Sequence, residues 1–105
     1  MSIVEAVTSE LQDFLAPILG SKEYGNLRTG DSFPSKIGDA YAWRVIYEDE
    51  YNSSFCISIA YHPSLGLGRD MISSQNRMYK PFSSYREAVD DFKKRVDRIP
   101  ERVVR

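Results

Sequence analysis

The sequence is poor in the residues that build disulfides, metal centres and histidine-based active sites. It has one Cys and one His in 105 residues. A single Cys cannot form an intramolecular disulfide, and one Cys with one His cannot supply the three or four ligands of a zinc or iron–sulfur site. We therefore predict no metal and no cofactor, and a cytoplasmic protein that does not depend on disulfides.

Long apolar runs are also missing. The longest uncharged run, residues 51–68, is interrupted by Asn, Ser and His side chains that a bilayer core does not accept without cost. The N-terminal segment 2–20 carries Glu5, Glu10 and Asp13, so it lacks the basic start and unbroken apolar centre of a secretory signal. We expect no membrane span and no membrane partner.

The charge is nearly balanced over the chain but divided along it. The formal net charge is -1. Residues 1–61 hold four bases against nine acids, a sum of -5, and residues 62–105 hold ten bases against six acids, a sum of +4. Such a division of charge can mark an anionic partner, although folding often mixes the two halves.

No repeat or linker interrupts the chain, so we predict one domain over residues 1–105.

The N-terminal segment has the pattern of an amphipathic helix. Ser2 and Glu5 have the spacing of a capping box, in which each side chain accepts a hydrogen bond from the other residue's backbone N–H. Apolar residues then recur at intervals of three and four. Because proline lacks a backbone donor, Pro17 predicts that the regular helix ends near Leu15, with Gly20 as the final stop.

The C-terminal segment has a second pattern of this kind. Ser84 and Glu87 again have the capping-box spacing, apolar residues follow at intervals of three and four, and Pro100 ends the run. Acids come early and bases late, which complements the helix dipole. The sequence also predicts two ion pairs at i, i+4, Asp90 with Lys94 and Asp91 with Arg95.

Between the helices lies a strong signal for a β-hairpin. Residues 40–48 and 54–62 each alternate strictly, with a five-residue polar stretch between them that is typical of a turn. One side of the predicted sheet carries bulky residues, namely Tyr41, Trp43, Val45, Tyr47, Phe55, Ile57, Ile59 and Tyr61. These side chains are expected to face the helices and form the core.

Two connecting segments have weaker patterns. Residues 21–39 indicate a loop with one short strand near 26–29. Residues 63–81 fit either a short helix or a third strand at 70–74, and we favour the strand because a two-stranded hairpin alone is marginally stable. The predicted fold is therefore α+β, a small antiparallel sheet of three or more strands around the hairpin 40–48/54–62, with an N-terminal and a C-terminal helix packed on one face.

Candidate catalytic groups are weak. Cys56 and His62 are six residues apart on one predicted strand, about 20 Å if the strand is straight, so they cannot form a nucleophile–base pair. The acidic stretch 48–50 lacks the spacing of a calcium loop, and Gly66–Gly68 is too short for a phosphate loop and is interpreted as a turn. We predict no enzyme, while an enzyme that uses Tyr, Arg and acidic side chains stays an open alternative.

The second face of the predicted hairpin is unusually small and weakly polar. It carries Ala42, Arg44, Ile46, Cys56, Ser58 and Ala60. A solvated sheet face normally carries long polar or charged residues, so this face suggests a partner protein, a second copy of the chain, or cover from residues 21–39. The leading hypothesis is a small non-catalytic protein-binding domain, an adaptor, inhibitor or regulatory subunit, that uses Ala42, Arg44, Ile46, Ser58 and Ala60.

The alternative hypothesis is nucleic-acid binding through the basic C-terminal half. Lys and Arg residues interleave with aromatic residues there. Such a segment can follow a phosphate backbone with its positive charges and stack its aromatic rings on nucleobases. The candidate residues are Arg77, Tyr79, Lys80, Lys93, Lys94, Arg95 and Arg98, with Arg69 and Arg102 in the same basic half.

Overall fold

The described part of the chain folds as predicted into an α+β structure with two α-helices and a six-stranded antiparallel sheet. A computed structural model describes residues 2–72 and 77–103, apart from the side chains of residues 70–72, 77 and 78. In chain order the elements are α1 (Ile3–Leu15), β1 (Arg28–Thr29), β2 (Ser35–Ile37), β3 (Ala40–Glu48), β4 (Ser54–His62), β5 (Gly66–Ile72), β6 (Arg77–Pro81) and α2 (Tyr85–Asp97), with short 3₁₀ helices at Lys22–Tyr24 and Ile99–Glu101.

The sheet is a meander with two short strands on one side. β3, β4, β5 and β6 pair in sequence, and both β1 and β2 pair with β3 on its other edge. β2 pairs with the start of β3 and β1 pairs with a later part of it. In the central hairpin, β3 and β4 pair from Tyr41 with Tyr61 to Glu48 with Ser54. The predicted bounds of this hairpin are confirmed.

The connecting segments contain more strand than the sequence predicts. The strand near 26–29 is present as β1, but β2 was not anticipated. In the segment 63–81, two strands stand where one was favoured, and the helical alternative is wrong for the described part. The turn predicted at Gly66–Gly68 is also wrong, because these residues begin β5 and pair with Ala60–His62 of β4. Residues 73 and 74 of the predicted third strand lie outside the described residues.

The two helix starts differ in one detail. At α1 the predicted capping box is complete: Ser2 Oγ accepts from the Glu5 N–H at 3.1 Å, and the Glu5 carboxylate accepts from the Ser2 N–H at 3.3 Å. At α2, Ser84 Oγ accepts from the Glu87 N–H at 3.1 Å. The Glu87 carboxylate, however, accepts from the Ser83 N–H at 2.8 Å, so the second capping box is only half formed.

Both helices pack on the same face of the sheet, as predicted. The buried core joins residues of the two helices with residues of the sheet. They are Val7, Leu11 and Leu15 from α1, Trp43, Val45, Tyr47, Ile57, Ile59 and Leu67 from the sheet, and Ala88, Val89, Phe92 and Val96 from α2. The indole Nε1 of Trp43 donates to Thr8 Oγ1 at 2.9 Å, which satisfies the one polar atom of this side chain. Phe55 departs from the prediction, since it is 46% exposed beside a cleft at the end of α2.

The opposite face of the sheet has no helix on it in the described part of the chain. The two strands of the segment 21–39 do not cover it, because β1 and β2 extend the sheet in its own plane by pairing with β3. The two α-helices have 13 residues each, and no described helix is long and apolar enough to cross a bilayer.

Candidate functional site

A groove crosses the helix-free face of the sheet, and we call it the sheet groove. Its floor is made by Ala42, Ser58 and Ala60, which lie side by side because Ala42 pairs with Ala60 and Arg44 pairs with Ser58 in the hairpin. The groove has a volume of about 340 Å³. The small side chains leave the backbone of two strands open to close approach, which is the reason a groove forms here.

Two exposed apolar side chains border the sheet groove. Ile37 of β2 is 62% exposed and Leu65, in the turn before β5, is 58% exposed. Tyr79 of β6 lies on the same face, where its hydroxyl donates to the carbonyls of Gly66 and Ala60. A Cβ at Gly68 would overlap the Tyr79 ring, so this position needs glycine to let the ring lie against the sheet.

Arg44 brings a positive charge into the sheet groove. Its side chain is exposed, and no described residue forms an ion pair with it. The described residues that line the groove include no acid. The groove therefore combines an apolar border, a floor of small side chains and one uncompensated cation.

Four of the five residues predicted for protein binding line the sheet groove. They are Ala42, Arg44, Ser58 and Ala60, while Ile46 lies on the same face but outside the groove. The border was not predicted. Ile37 belongs to a strand too short to show a pattern, and the sequence places Tyr79 among the residues predicted for nucleic-acid binding. The Gly66–Gly68 pair was the available signal, since glycine in a strand often marks close approach of another group.

Along the edge of β4 that points away from β3, the sheet divides. β5 pairs with β4 only through Gly66–Gly68 and then pairs only with β6. From Ser54 to Ile59, β4 has no strand beside it on that side within the described residues. Arg95 of α2 reaches into the gap, and its guanidinium donates to the Ser58 carbonyl at 2.8 Å. One carbonyl of the open edge is thereby satisfied by a side chain instead of a strand.

A second cavity, the basic cleft, lies at this division. Its volume is about 320 Å³. Its cations come from three parts of the chain, and the lining consists of Arg69 from β5, Asp91, Lys94 and Arg95 from α2, Arg98 and Arg102 after it, and Tyr47, Phe55, Cys56 and Ile57 from the central hairpin. Five cations thus surround one acid.

The single acid of the basic cleft is already neutralised. Asp91 and Arg95 form the predicted ion pair at 2.8 Å, with both side chains largely buried. The other predicted pair is wrong, because Asp90 pairs with Arg86 at 3.8 Å and Lys94 has no ion-pair partner among the described residues. Burial lowers the pKa of the Arg95 guanidinium, with a contribution from the charge of Arg69, while Asp91 acts in the opposite direction.

The residues predicted for nucleic-acid binding are dispersed by the fold. Lys94, Arg95 and Arg98 come together in the basic cleft, but Tyr79 lies on the opposite face of the sheet. Lys93 turns toward α1, where its Nζ lies 3.1 Å from Glu10 Oε1. Hydrogen bonds from Ser83 lower the pKa of the Glu87 carboxyl, and the charge of Lys80 lowers it further, so Lys80 lies near Glu87. The Arg77 side chain lies outside the described part.

The remaining candidate groups take part in local structure. The Asp49 carboxylate accepts from the backbone N–H groups of Tyr51 and Ser53, each at 2.9 Å, and so organises the hairpin turn. His62 Nδ1 accepts from the Ser64 N–H at 3.1 Å. Partial burial raises the pKa of the Cys56 thiol, although Arg44 and Arg95 oppose the shift. Within the described ranges no three potential metal ligands cluster.

Comparison of the chain with protein-family models, with curated proteins and with solved structures finds no match in any of the three.

Proposed function

We propose that the protein is a binding domain that takes a segment of another protein into the sheet groove. The observation that carries this proposal is the border of the groove, where Ile37 and Leu65 expose large apolar side chains around a floor of small ones. Exposed apolar side chains are ordinary when scattered, but around one concavity they are typical of an interaction surface.

The shape of the sheet groove favours an inserted apolar side chain. Ala42 and Ala60 leave room above the sheet, and Tyr79 adds an aromatic wall. Full burial of one Leu- or Phe-sized side chain contributes about 1.5 to 3 kcal/mol. That is enough for such a side chain to dominate a small interface, in which a few anchors supply most of the affinity.

The charge of the sheet groove favours a partner with a carboxylate. Arg44 has no ion-pair partner among the described residues, and a second copy of this face offers it none, because the described lining has no acid. Two copies that meet face to face would also bring like charges together. The partner we infer is therefore a different protein, with a large apolar residue next to Asp or Glu.

A peptide selection tests both features. A random peptide library is selected on the pure protein, and the peptides recovered are expected to combine a large apolar residue with a neighbouring acid. Arg44→Glu and Ala60→Glu are each expected to weaken binding at least about tenfold, through charge reversal and through filling of the groove. Arg98→Glu, a reversal in the basic cleft, is the matched control and is expected to leave binding unchanged.

Circular dichroism of each variant establishes that it is folded, and Arg44→Ala replaces Arg44→Glu if the latter is not. Equal binding by wild type and the groove variants, or recovery of no peptide at all, would contradict the proposal. Sedimentation velocity adds an independent outcome. A dimer that Ala60→Glu dissociates would assign the groove to a second copy of the chain and overturn the choice of a different protein.

A further inference from the structure

Four cations of the basic cleft have no acidic partner among the described residues. Arg69, Lys94, Arg98 and Arg102 form no ion pair with any described residue, and Asp91 is already engaged by Arg95. Arg95 itself is held between Asp91 and the Ser58 carbonyl. It therefore shapes the cleft and is less available to a ligand than the other four cations. The cleft therefore has a strong local excess of positive charge in a cavity of about 320 Å³.

The helix dipole explains only part of this excess. Lys94 is in the last turn of α2 and Arg98 is its C-cap, where cations are stabilised by the helix carbonyl end. Arg69 comes from β5 and Arg102 follows the 3₁₀ helix, so neither owes its position to α2. Cations from separate elements that converge without counter-charge repel one another, and an anionic ligand relieves that repulsion.

An exposed aromatic ring lies in the same cleft. Phe55 stacks on Tyr47 with ring centroids 5.6 Å apart, yet it is 46% exposed. Tyr47 packs against the ring, and Phe55 is one of the residues that line the cleft. A fixed, open aromatic surface beside unpaired cations is the combination with which proteins hold a base and its phosphate.

We propose that the basic cleft binds a nucleoside phosphate, with the base against Phe55 and the phosphate at Lys94, Arg98 and Arg102. The ligand is either a free nucleotide or a nucleotide of a single-stranded nucleic acid, which share this chemistry. The site lies on the side of β4 opposite to the β3–β4 pairing that forms the sheet groove, and it does not depend on the function proposed for that groove.

The test compares adenosine 5′-monophosphate with ribose 5-phosphate, titrated into the protein at low salt and followed by backbone amide NMR shifts. The nucleotide is expected to bind about tenfold more tightly, because only it carries a base. Phe55→Ala is expected to remove that difference. Arg98→Gln is expected to weaken both ligands about tenfold through loss of a charged hydrogen bond.

Two matched controls separate these effects from general changes. Tyr51→Ala removes an aromatic side chain that is 78% exposed in the hairpin turn, and Lys36→Gln removes an exposed cation on β2. Both are expected to bind like wild type. Equal affinity for the two ligands, or equal effects of Phe55→Ala and Tyr51→Ala, would overturn the assignment of a nucleoside. Absence of binding by either ligand and by an oligothymidylate of eight residues would overturn the site itself.

Titration with the same oligothymidylate distinguishes the two sources. If its affinity exceeds that of the mononucleotide at least about tenfold and falls with a log–log salt slope of about 0.7 per neutralised phosphate, the source is a single strand. If mononucleotide and oligomer bind alike, the source is a free nucleotide. Ala60→Glu, in the sheet groove, is expected to change neither result, so this proposal and the proposed function fail independently.

Discussion

At Gly25 the backbone has a conformation and a contact that only glycine satisfies. Its φ is 65°, and its carbonyl accepts from the Glu48 N–H at 2.9 Å, which fastens the segment before β1 to the end of β3. A Cβ at this position would overlap the Glu48 carbonyl oxygen. Gly38 also has a positive φ, 60°, but a Cβ there would meet nothing within 4 Å.

These two glycines give a matched prediction. Gly25→Ala is expected to lower the free energy of unfolding by about 2 to 4 kcal/mol, because it adds a backbone clash to the strain of a left-handed residue. Gly38→Ala has only the strain and is expected to cost about 1 kcal/mol. Urea unfolding measures both, and equal losses would contradict the role assigned to the close contact at Gly25.

Glu10 joins the two helices electrostatically. Its carboxylate accepts hydrogen bonds from the side chains of Tyr85, Arg86 and Lys93, all of α2. The Tyr85 hydrogen bond is the largest of the effects that lower the pKa of Glu10 below the ordinary value of 4.5, and Lys93 and Arg86 add to it against a partial opposing effect of burial.

This lowered pKa predicts how stability depends on pH. The unfolded chain binds the Glu10 proton more readily than the native protein, so the stabilisation is complete above 4.5 and is lost as the pH falls from there through the lowered native pKa. In urea unfolding, Glu10→Gln is therefore expected to be less stable than wild type at neutral pH and to approach it in acid. Tyr85→Phe is expected to reduce this pH dependence. Parallel curves of unfolding free energy against pH for wild type and Glu10→Gln would refute the role assigned to Glu10.

At the scale of the elements, the start of α2 depends on Ser84 more than on a complete capping box. Ser84 Oγ accepts from the Glu87 N–H, and Glu87 is engaged by Ser83. Ser84→Ala is expected to destabilise the protein by about 1 kcal/mol through loss of the cap. Ser9→Ala, at an exposed position inside α1, is the control and is expected to change stability by no more than about 0.5 kcal/mol. Thermal unfolding distinguishes the two, and a similar change in both would contradict the cap.

The elements that were predicted with correct bounds are those whose signal is local, while the two-residue strand β1 was predicted only by its approximate position. α1, α2 and the β3–β4 hairpin have caps or long periodic patterns, and each buries its own apolar stripe. β2 and β6 have three and five residues, too few for a period to show, and they are held by pairing with β3 and β5. Their existence follows from tertiary contacts that the local sequence does not encode.

The candidate surfaces follow the same division. Alternation along the hairpin places Ala42 and Ala60 on one face, so the floor of the sheet groove was predictable from the sequence. Its border was not, because Ile37 and Leu65 arrive from other segments. The basic cleft was predictable only as a basic segment, since the position of Arg69 opposite α2 depends on the separation of β5 from β4.

At the scale of the whole molecule, the two candidate surfaces meet at one strand. β4 forms the floor of the sheet groove with its small side chains and borders the basic cleft along its open edge. Ser58 takes part in both, because its side chain lines the groove and its carbonyl is bound by Arg95. The sheet groove lies on the helix-free face and the basic cleft lies beside α2, so the two surfaces occupy different sides of one strand.

The open edge of β4 has a consequence for self-association. An unpaired strand edge invites the strand of a neighbouring molecule to add to it, which is how sheet proteins begin to polymerise. Here Arg95 occupies the Ser58 carbonyl, and Arg69 and Arg98 place further positive charge around the gap, so two edges that approach each other repel. We therefore expect these arginines to disfavour strand addition at this edge in the ligand-free protein.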